Sequence, residues 1–467
     1  MKPFISENWL IDNKKGSFLY HEVAKDLPII DYHNHLNPFH LAQNKSFENL
    51  TEIWLGADPY KHRAMRIHGI PEEIITGKAG DWEKFTNWAK VLPKTIGNPL
   101  FHWSCLEMKR VFGLDLILSQ HNAKEIWDHC NDLLKEKGYR AFNLLQSWKT
   151  ETVCTSDELL DELEAHAKLA ATPNSCRVLP SLRGDTMLNF KAPGFKNWLE
   201  KLGLACGFTI TDFECYLSAI RLRLDFFEKN GCMIADHALD AGFSYSSIPR
   251  IAVEALFQKC LKGEGLTHSE SVSLESYLLV KLGTEYGKRG WIMQLHIGAQ
   301  RRTSTRISRL AGPAGGYAAI GKSCDINALC QLLDDIEQSG SLPDTILYTL
   351  NPADNATLAS LTGSFAEDGV KGKIQFGPAW WYNDHEDGII KQLKDLSAIG
   401  LLSSFIGMTT DSRSILSLSR HEYFRRVVCN LLGRWVEQGK LPDDIELISQ
   451  LVRDISYENI KMKLQKQ

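Results

Sequence analysis

The chain has 467 residues, of which 43% are apolar and 24% are charged. Such a composition is typical of a folded globular protein, and the length suits an α/β barrel that carries insertions. The 53 basic and 57 acidic residues leave a formal net charge of −4. This near balance excludes a general attraction to nucleic acid or to an anionic membrane, so an anionic ligand must be bound by a few placed cations.

The cysteines and the first residues indicate a compartment. The chain has 11 cysteines without a C-x-x-C pair, which favours reduced thiols over a disulfide framework or a zinc ribbon. Residues 1–8 contain no apolar signal segment, and the sequence has no run of about 18 apolar residues that would span a membrane. We therefore expect a cytoplasmic protein without a membrane or nucleic-acid partner.

The first predicted strand covers residues 29–32, after an N-terminal segment that we expect to wrap around the outside. The strand runs directly into His33 and His35. Side chains two residues apart on a strand point to the same side, so both imidazoles can converge on one point. Two neutral imidazoles at a strand end form part of a binding shell for a divalent metal.

Helical periodicity then dominates residues 41–150. Apolar side chains recur three to four apart in this region, and Pro93 and Pro99 act as breakers. We therefore expect three parts: residues 1–40 with the N-terminal segment and barrel strand 1, a helical insertion at 41–150, and the remainder of the barrel with C-terminal helices at 151–467.

From residue 150 onward, short apolar strands alternate with amphipathic helical segments. Together with residues 29–32, the predicted strands cover residues 152–156, 177–181, 232–236, 291–297, 346–350, 373–376 and 404–408. Eight strands separated by helices predict a closed (β/α)8 TIM-like barrel, with a doubly wound open sheet as the alternative. No G-x-G-x-x-G follows a strand, so the nucleotide-binding form of the open sheet lacks support.

Polar side chains cluster where these strands end, and this end of a barrel carries active sites. In chain order they are His33, His35, Ser156, Asp157, Arg183, Asp185, Asp236, His237, His296, Arg301, Asn351, Trp380, Trp381, Asp411 and Arg413. A closed barrel would bring all of these side chains to one rim.

One group on this rim has the composition of a metal site. His33 and His35 on strand 1 would be neighbours of Asp411 on strand 8, and these three ligands would leave room for water or substrate. His296 is either a fourth ligand or a contact for substrate. By itself Asp411 also suits a turn or a helix cap, so the His pair carries this interpretation.

Other side chains on the rim suit the binding of a ligand. Arg183, Arg301 and Arg413 each follow a strand and offer paired donors to a carboxylate. Any one of them suits a structural ion pair at least as well, but three on one rim favour an anionic ligand. Trp380 and Trp381 follow strand 7, where aromatic faces can form the wall of a sugar pocket.

The insertion contributes one more candidate. Residues 58–63 form a charged segment around Tyr60, which could fold over the barrel mouth and supply an acid or a base. Taken alone, such a segment is more often an ordinary solvated surface.

Several longer motifs stand in a fixed order along nearly the whole chain. They are DYHNHL at residues 31–36, YK at 60–61, RAMR at 63–66, MQLHIGA at 293–299, KIQFG at 373–377, WW at 380–381, TDSRS at 410–414 and HEYFRR at 421–426. Together they resemble the uronate isomerase (glucuronate isomerase) family of the amidohydrolase superfamily.

The resemblance implies an aldose–ketose interconversion of hexuronates, from D-glucuronate to D-fructuronate and from D-galacturonate to D-tagaturonate. It implies a barrel with one divalent metal, usually zinc. The ligands would be His33, His35 and Asp411. The catalytic candidates would be Tyr60, Asp411 and Arg413, with Tyr60 and Asp411 as acid and base. The substrate contacts would be Arg183, His296, Arg301, Trp380 and Trp381.

Two departures from the family pattern keep other functions open. Pro59 stands where the family has a His, and residues 312–321 lack acidic residues often found there. A metal-dependent hydrolase or lactonase on the same barrel is one alternative, and a sugar-acid binding protein without catalysis is another. The identity of the metal, the preferred epimer and the formation of a homo-oligomer stay open.

Overall fold

Within residues 4–173 and 176–465, which the computed structural model describes, the chain forms eleven β-strands. Their bounds are β1 Ile29–Asp31, β2 Thr150–Cys154, β3 Asp157–Glu158, β4 Arg177–Leu179, β5 Leu182–Arg183, β6 Ile234–Leu239, β7 Ile292–Ile297, β8 Ala299–Gln300, β9 Ala319–Ile320, β10 Asp344–Thr349 and β11 Ile374–Phe376.

All of these strands except β8 and β9 belong to one parallel barrel wall. β1, β2 and β4 pair in that order, and so do β11, β10, β7, β6, β5 and β3. β2 and β3 are two parts of one barrel strand, as are β4 and β5. The N–H of Thr155 donates to the carbonyl of Leu179 at 3.0 Å, and the N–H of Asp157 donates to that of Ser181 at 2.9 Å, which continues the ladder between the two sheets.

Residues 405–412 close the barrel between β11 and β1. On one side, the N–H of Ile406 donates to the side-chain oxygen of Gln375 on β11 at 3.1 Å. On the other side, the N–H of Asp411 donates to the carbonyl of His33 at 3.0 Å. The result is the (β/α)8 barrel that the strand pattern predicts.

The prediction of a regular eighth strand at residues 404–408 is wrong. Leu402–Ser404 is a short 3-10 helix, and no strand is assigned to residues 405–412. Gly407 has a φ of +88°, which interrupts an extended strand. Side chains also replace backbone partners, since Gln375 accepts from Ile406. The other seven predicted strands are present, with ends that differ by at most three residues.

Helices fill the chain between β1 and β2 and connect the later strands. The α-helices before β2 are Lys14–Phe18, Pro38–Ala42, Leu50–Trp54, Pro59–Ile67, Glu72–Ile75, Asp81–Val91, Pro99–Phe112, Ala123–Leu134 and Ala141–Ser147. The later ones are Glu164–Ala170, Asp185–Leu188, Phe195–Cys206, Phe213–Lys229, Arg250–Lys262, His268–Lys288, Thr305–Ala311, Ile326–Gln338, Asn355–Ser364, Glu386–Ile399, Ser419–Glu437, Ile445–Arg453 and Asn459–Lys463.

Short 3-10 and π segments complete the secondary structure. The 3-10 helices are Leu92–Thr95, Lys137–Tyr139, Pro352–Asp354, Trp381–Asn383, Leu402–Ser404 and Ile415–Leu418, and the π-helices are Leu19–Ala24 and Asp454–Glu458. No helix in the described ranges is long and apolar enough to cross a membrane. The run of helices between β1 and β2 lies where the insertion is predicted, and the division into three parts stays a prediction.

Asp31 on β1 bonds to residues 409–410 in the segment that closes the barrel. Its carboxylate is fully buried and accepts the N–H of Thr410 at 2.7 Å, the hydroxyl of Thr410 at 2.7 Å and the hydroxyl of Thr409 at 2.8 Å. A buried carboxylate is strongly destabilising unless hydrogen bonds satisfy it. These bonds therefore fix the position of residues 409–410 relative to β1.

Candidate active site

His33, His35 and Asp411 meet at the carboxyl end of β1. Nε2 of His35 lies 3.0 Å from Oδ1 of Asp411, and Nε2 of His33 lies 3.5 Å from the same oxygen. The side chains of His33 and Asp411 are at most one-tenth exposed. One donor atom from each of the three residues lies within 4.8 Å of the others, so the three could hold a single metal ion.

Asp411 is held from several directions. Its second carboxylate oxygen, Oδ2, accepts the indole N–H of Trp380 at 2.7 Å and that of Trp381 at 2.6 Å. Its backbone has a φ of +46°, in the left-handed region that non-glycine residues seldom adopt. The backbone N–H bond to His33 helps to hold this conformation. The two tryptophans thus contact the acid through their polar edges.

The charges of the three side chains are coupled. Burial would raise the pKa of Asp411, but its hydrogen bonds to His33 and His35 lower that pKa well below its usual range. Burial lowers the pKa of His35, and the bond to Asp411 only partly opposes it. For His33, the bond to Asp411 and the charge of Asp236 outweigh burial and raise the pKa. Asp411 is therefore an anion at neutral pH.

A second group of metal-binding side chains shares His33. Donor atoms of His33, Asp236 and His296 also lie within 4.8 Å of one another, and all three side chains are buried. Burial raises the pKa of Asp236 to about 6, and burial together with the charge of His33 lowers the pKa of His296 well below its usual value. His296 is therefore neutral at pH 7, which is the form that binds metals.

Two unsatisfied atoms in this group fit a bound ion. Oδ1 of Asp236 and Nε2 of His296 are buried without a hydrogen-bond partner among the residues that the structure describes. An unsatisfied buried polar atom is destabilising by about 1–3 kcal/mol, so a cation or a ligand oxygen here would be favourable. Imidazole and carboxylate donors at this spacing suit zinc and other divalent metals. The predicted ligands His33, His35 and Asp411 offer the same donor types within 4.8 Å of one another, so they also fit such a metal.

Tyr60 reaches the site from the helix Pro59–Ile67 of the insertion. Asp58 caps this helix, because its side chain accepts the N–H of Tyr60 at 2.9 Å and that of Lys61 at 3.1 Å. Pro59 occupies the first helical position, where its missing N–H has no cost. The departure from the family at Pro59 thus leaves the helix intact.

The environment of Tyr60 keeps its hydroxyl protonated. Its ring packs edge to face against Trp103, with 5.7 Å between the ring centroids. Burial raises the pKa of Tyr60 well above its usual value, and the positive charge of Arg420 only partly opposes this effect. At neutral pH the Tyr60 hydroxyl therefore keeps its proton and can donate a hydrogen bond.

A buried ion cluster anchors the same helix. The ammonium group of Lys61 lies 2.6 Å from Oδ2 of Asp58 and 3.3 Å from Oε2 of Glu107, and its side chain is 2% exposed. The indole N–H of Trp54 donates to the same oxygen of Glu107 at 2.5 Å. The buried carboxyl groups of Asp58 and Glu107 thus share the single positive charge of Lys61.

The three predicted arginines lie at the rim, but two of them are already paired. Nε of Arg183 donates to Asp185 at 3.3 Å, and Nε of Arg301 donates to Asp240 at 2.7 Å. The guanidinium of Arg301 also lies 5.2 Å from the ring centroid of Trp381.

Arg413 lies near His35, since its positive charge contributes to the lowered pKa of that imidazole. The site thus has several cations around its entrance, each partly exposed.

Residues 312–321 pack against the helix that carries Tyr60. Nη1 of Arg63 donates to the carbonyl of Gly316 at 3.3 Å, to that of Ala318 at 3.0 Å and to the hydroxyl of Tyr382 at 3.1 Å. Gly316 has a φ of +76°, and a Cβ placed there would lie 2.1 Å from the carbonyl oxygen of Pro59. Only glycine permits this close approach.

Three residues that help to build the site have no predicted role in the sequence. Asp236 ends predicted strand 4, and the structure groups it with His296 and His33. Arg420 and Asp384 form a buried ion pair beside the same cavity. Asp236 carried a usable signal because it ends a strand next to His237. Arg420 lies on a helix, where its spacing gave no such signal.

The motifs and geometry agree with comparisons to known proteins. The sequence model of the glucuronate isomerase family matches residues 1–463. The chain is 47% identical over 461 residues to a uronate isomerase of Bacillus licheniformis, covering 99% of this chain and 97% of the relative. A uronate isomerase of Caldanaerobacter subterraneus is 45% identical over 462 residues, with 99% of both chains covered.

A solved structure gives the same result. The uronate isomerase of Thermotoga maritima superimposes with a TM-score of 0.92 at 31% sequence identity, and the match covers 99% of each chain. The likeness therefore includes the barrel, the helical segment after β1 and the C-terminal helices. The chain belongs to the glucuronate isomerase family.

Proposed function

We propose that this protein interconverts the aldose and ketose forms of a hexuronate, D-glucuronate with D-fructuronate and D-galacturonate with D-tagaturonate. The observation that carries the proposal is the convergence of His33, His35 and Asp411 within 4.8 Å, in a chain of this family. Tyr60 on the insertion completes the set, because it adds a protonated hydroxyl to a site that already holds an anion.

The reaction needs a proton to leave C2 and to return at C1 through an enediol. Asp411 is an anion, which is the form that can accept a proton, and two indole N–H groups orient its carboxylate. The Tyr60 hydroxyl is protonated near pH 7 and can donate a hydrogen bond to a substrate oxygen, and we propose it as the acid of the reaction. A proton donor is needed because negative charge develops on the C1 and C2 oxygens during the transfer.

The carboxylate of the substrate needs cationic partners at the entrance. Arg183, Arg301 and Arg413 are proposed for this role, with His296 and the two indoles against the sugar. Arg413 is also proposed as a catalytic residue through its place beside His35. Since Arg183 and Arg301 are each paired with an aspartate, the substrate carboxylate would compete with those partners.

The proposed cofactor is one divalent metal, zinc. His33, His35 and Asp411 would hold it, with His296 as an added ligand or a substrate contact. Once bound, such an ion stabilises negative charge on substrate oxygens. The same three residues orient one another without it, through the contacts of 3.0 and 3.5 Å at Asp411.

A cytoplasmic location is part of the same proposal. All 11 cysteines lie in the described part of the chain and are free thiols. Reduced thiols suit a reducing compartment.

The test is to incubate the metal-replete protein with D-glucuronate and with D-galacturonate and to follow ketose formation by NMR. We expect a ketose from at least one of them. Absence of ketose from both would contradict the proposal. Binding without turnover would point to a sugar-acid binding protein, and cleavage of a lactone would point to a hydrolase.

A pair of variants assigns the role of Tyr60. We expect Tyr60→Phe to lower kcat by about 100-fold, which is within the usual range for the loss of a general acid. Tyr139→Phe is a matched control, because Tyr139 stacks on Phe112 within the same insertion. Full turnover by Tyr60→Phe would remove Tyr60 from proton transfer.

A further inference from the structure

A buried arginine outside the predicted set lines the cavity at the site. Arg420 is the second residue of the helix Ser419–Glu437, and its side chain is 4% exposed. It borders the cavity together with His33, His296 and Asp411. A buried cation is destabilising unless it is paired, so its contacts indicate what it does there.

The guanidinium of Arg420 joins two aromatic rings to a carboxylate. Nη2 forms an ion pair with Oδ2 of Asp384, which balances the buried charge. The guanidinium carbon lies 4.5 Å from the ring centroid of Trp103 and 5.9 Å from that of Tyr60. Because Trp103 also packs edge to face on Tyr60, the cation and both rings form one packed cluster.

Another edge of the guanidinium fixes the peptide that leads into Asp411. Nη1 of Arg420 donates to the carbonyl of Thr410 at 2.7 Å. The N–H of the same peptide, which belongs to Asp411, donates to His33 at 3.0 Å. A peptide unit is planar, so bonds at both ends fix its orientation. This peptide directly precedes Cα of Asp411, where φ is +46°, so its orientation contributes to the direction of the Asp411 side chain.

We propose that Arg420 is a positioning residue that holds the side chains of Tyr60 and Asp411 in the relative positions that proton transfer requires. The proposal rests on the hexuronate isomerisation proposed above. Arg420 contacts both the insertion, which carries Tyr60, and the end of the barrel wall, which carries Asp411. A guanidinium suits this task because it is planar and has several donors in a fixed arrangement. An ammonium group cannot stack on Trp103 and serve two acceptors in the same way.

The main test compares two substitutions in one helix. Arg420→Lys keeps the positive charge but removes the planar guanidinium and its several donors. We expect kcat to fall about 10- to 100-fold, with KM changed less than about threefold. Arg426→Lys is the control, because Arg426 is 1% exposed and donates to the carbonyls of Glu7 and Trp9. We expect the control to keep its kcat. A kcat within twofold of the parent protein in Arg420→Lys would overturn the proposal.

A second measurement does not depend on turnover. Co²⁺ alone is titrated into the metal-free parent protein and into both variants, and the visible absorption is compared. We expect Arg420→Lys to change the spectrum or weaken Co²⁺ binding at least threefold, because Asp411 is reoriented, while Arg426→Lys does neither. Identical titrations in all three proteins, including no absorption in any, would overturn the proposal.

These readouts separate the proposal from the function it rests on. If the parent protein forms no ketose, the isomerase function fails, and the Co²⁺ titrations alone decide the role of Arg420. If Arg420→Lys does not fold, Asp384→Asn replaces it, since that change frees one edge of the guanidinium. We expect it to lower kcat about tenfold. Failure of both variants to fold would assign Arg420 to stability only and overturn the proposal.

Discussion

The two indole N–H groups on Asp411 allow a quantitative prediction. Each donates to Oδ2 of an anionic carboxylate, at 2.7 Å from Trp380 and 2.6 Å from Trp381. A hydrogen bond to a charged group contributes about 1.5–3 kcal/mol. Trp381→Phe removes one N–H and keeps an aromatic ring, so we expect the free energy of unfolding to fall by about this amount.

The same change should slow the reaction if Asp411 must be oriented to act. A loss of about 1.5–3 kcal/mol in the transition state corresponds to a fall in kcat between about 10- and 150-fold. Trp380→Phe should act in the same direction and cost more stability, because Trp380 is only 4% exposed. The double variant should be slower than either single one.

The assay combines urea unfolding with ketose formation. Trp82→Phe serves as the control, because Trp82 is 41% exposed and packs on Phe85 and Trp127 in the insertion. The reasoning is refuted if Trp380→Phe and Trp381→Phe both keep kcat within twofold and unfolding free energy within about 0.5 kcal/mol of the parent protein.

Three further predictions concern stability and the loop. Lys61→Met should lower the free energy of unfolding by about 3–5 kcal/mol in urea, because two buried carboxylates lose their cation, whereas Lys124→Met on the surface should change it little. Gly316→Ala should lower kcat/KM about tenfold, since its Cβ would lie 2.1 Å from the carbonyl oxygen of Pro59; unchanged kinetics would show that the loop adapts freely. Burial lowers the pKa of His237 to about 4, so the unfolded chain binds more protons below about pH 6.5. Stability should therefore fall by roughly 3 kcal/mol from pH 6.5 to 4, and His237→Gln should show a flatter profile in urea unfolding.

The strands and the His pair were open to prediction because their signals are local. Apolar runs of four to seven residues separated by helical segments indicate the barrel, and two histidines two residues apart on a strand must share a side. The eighth strand was beyond this reasoning. Its position depends on Gln375 and Asp31, whose side chains replace a backbone ladder and lie far from it in sequence.

The tryptophans and arginines illustrate what composition leaves open. The sequence predicts that the faces of Trp380 and Trp381 line a sugar pocket, and the structure adds that their N–H edges donate to Asp411. The φ of +45° at Trp381 turns the chain there, and no sequence pattern indicates it. Arg183 and Arg301 suit either a substrate carboxylate or a structural ion pair by sequence, and in the structure each is paired with an aspartate.

The amino-acid sequence is enough to predict the family, the barrel and the metal-binding candidates at the end of β1. Which of these groups meet depends on the packing of the folded chain. Asp411 lies more than 370 residues beyond His33 in the chain. Nε2 of His33 lies 3.5 Å from Oδ1 of Asp411 because residues 405–412 close the barrel wall. Local patterns fix the direction of a side chain on its own element. Distances between elements depend on the packing and hydrogen bonds of the whole barrel, which no short pattern contains.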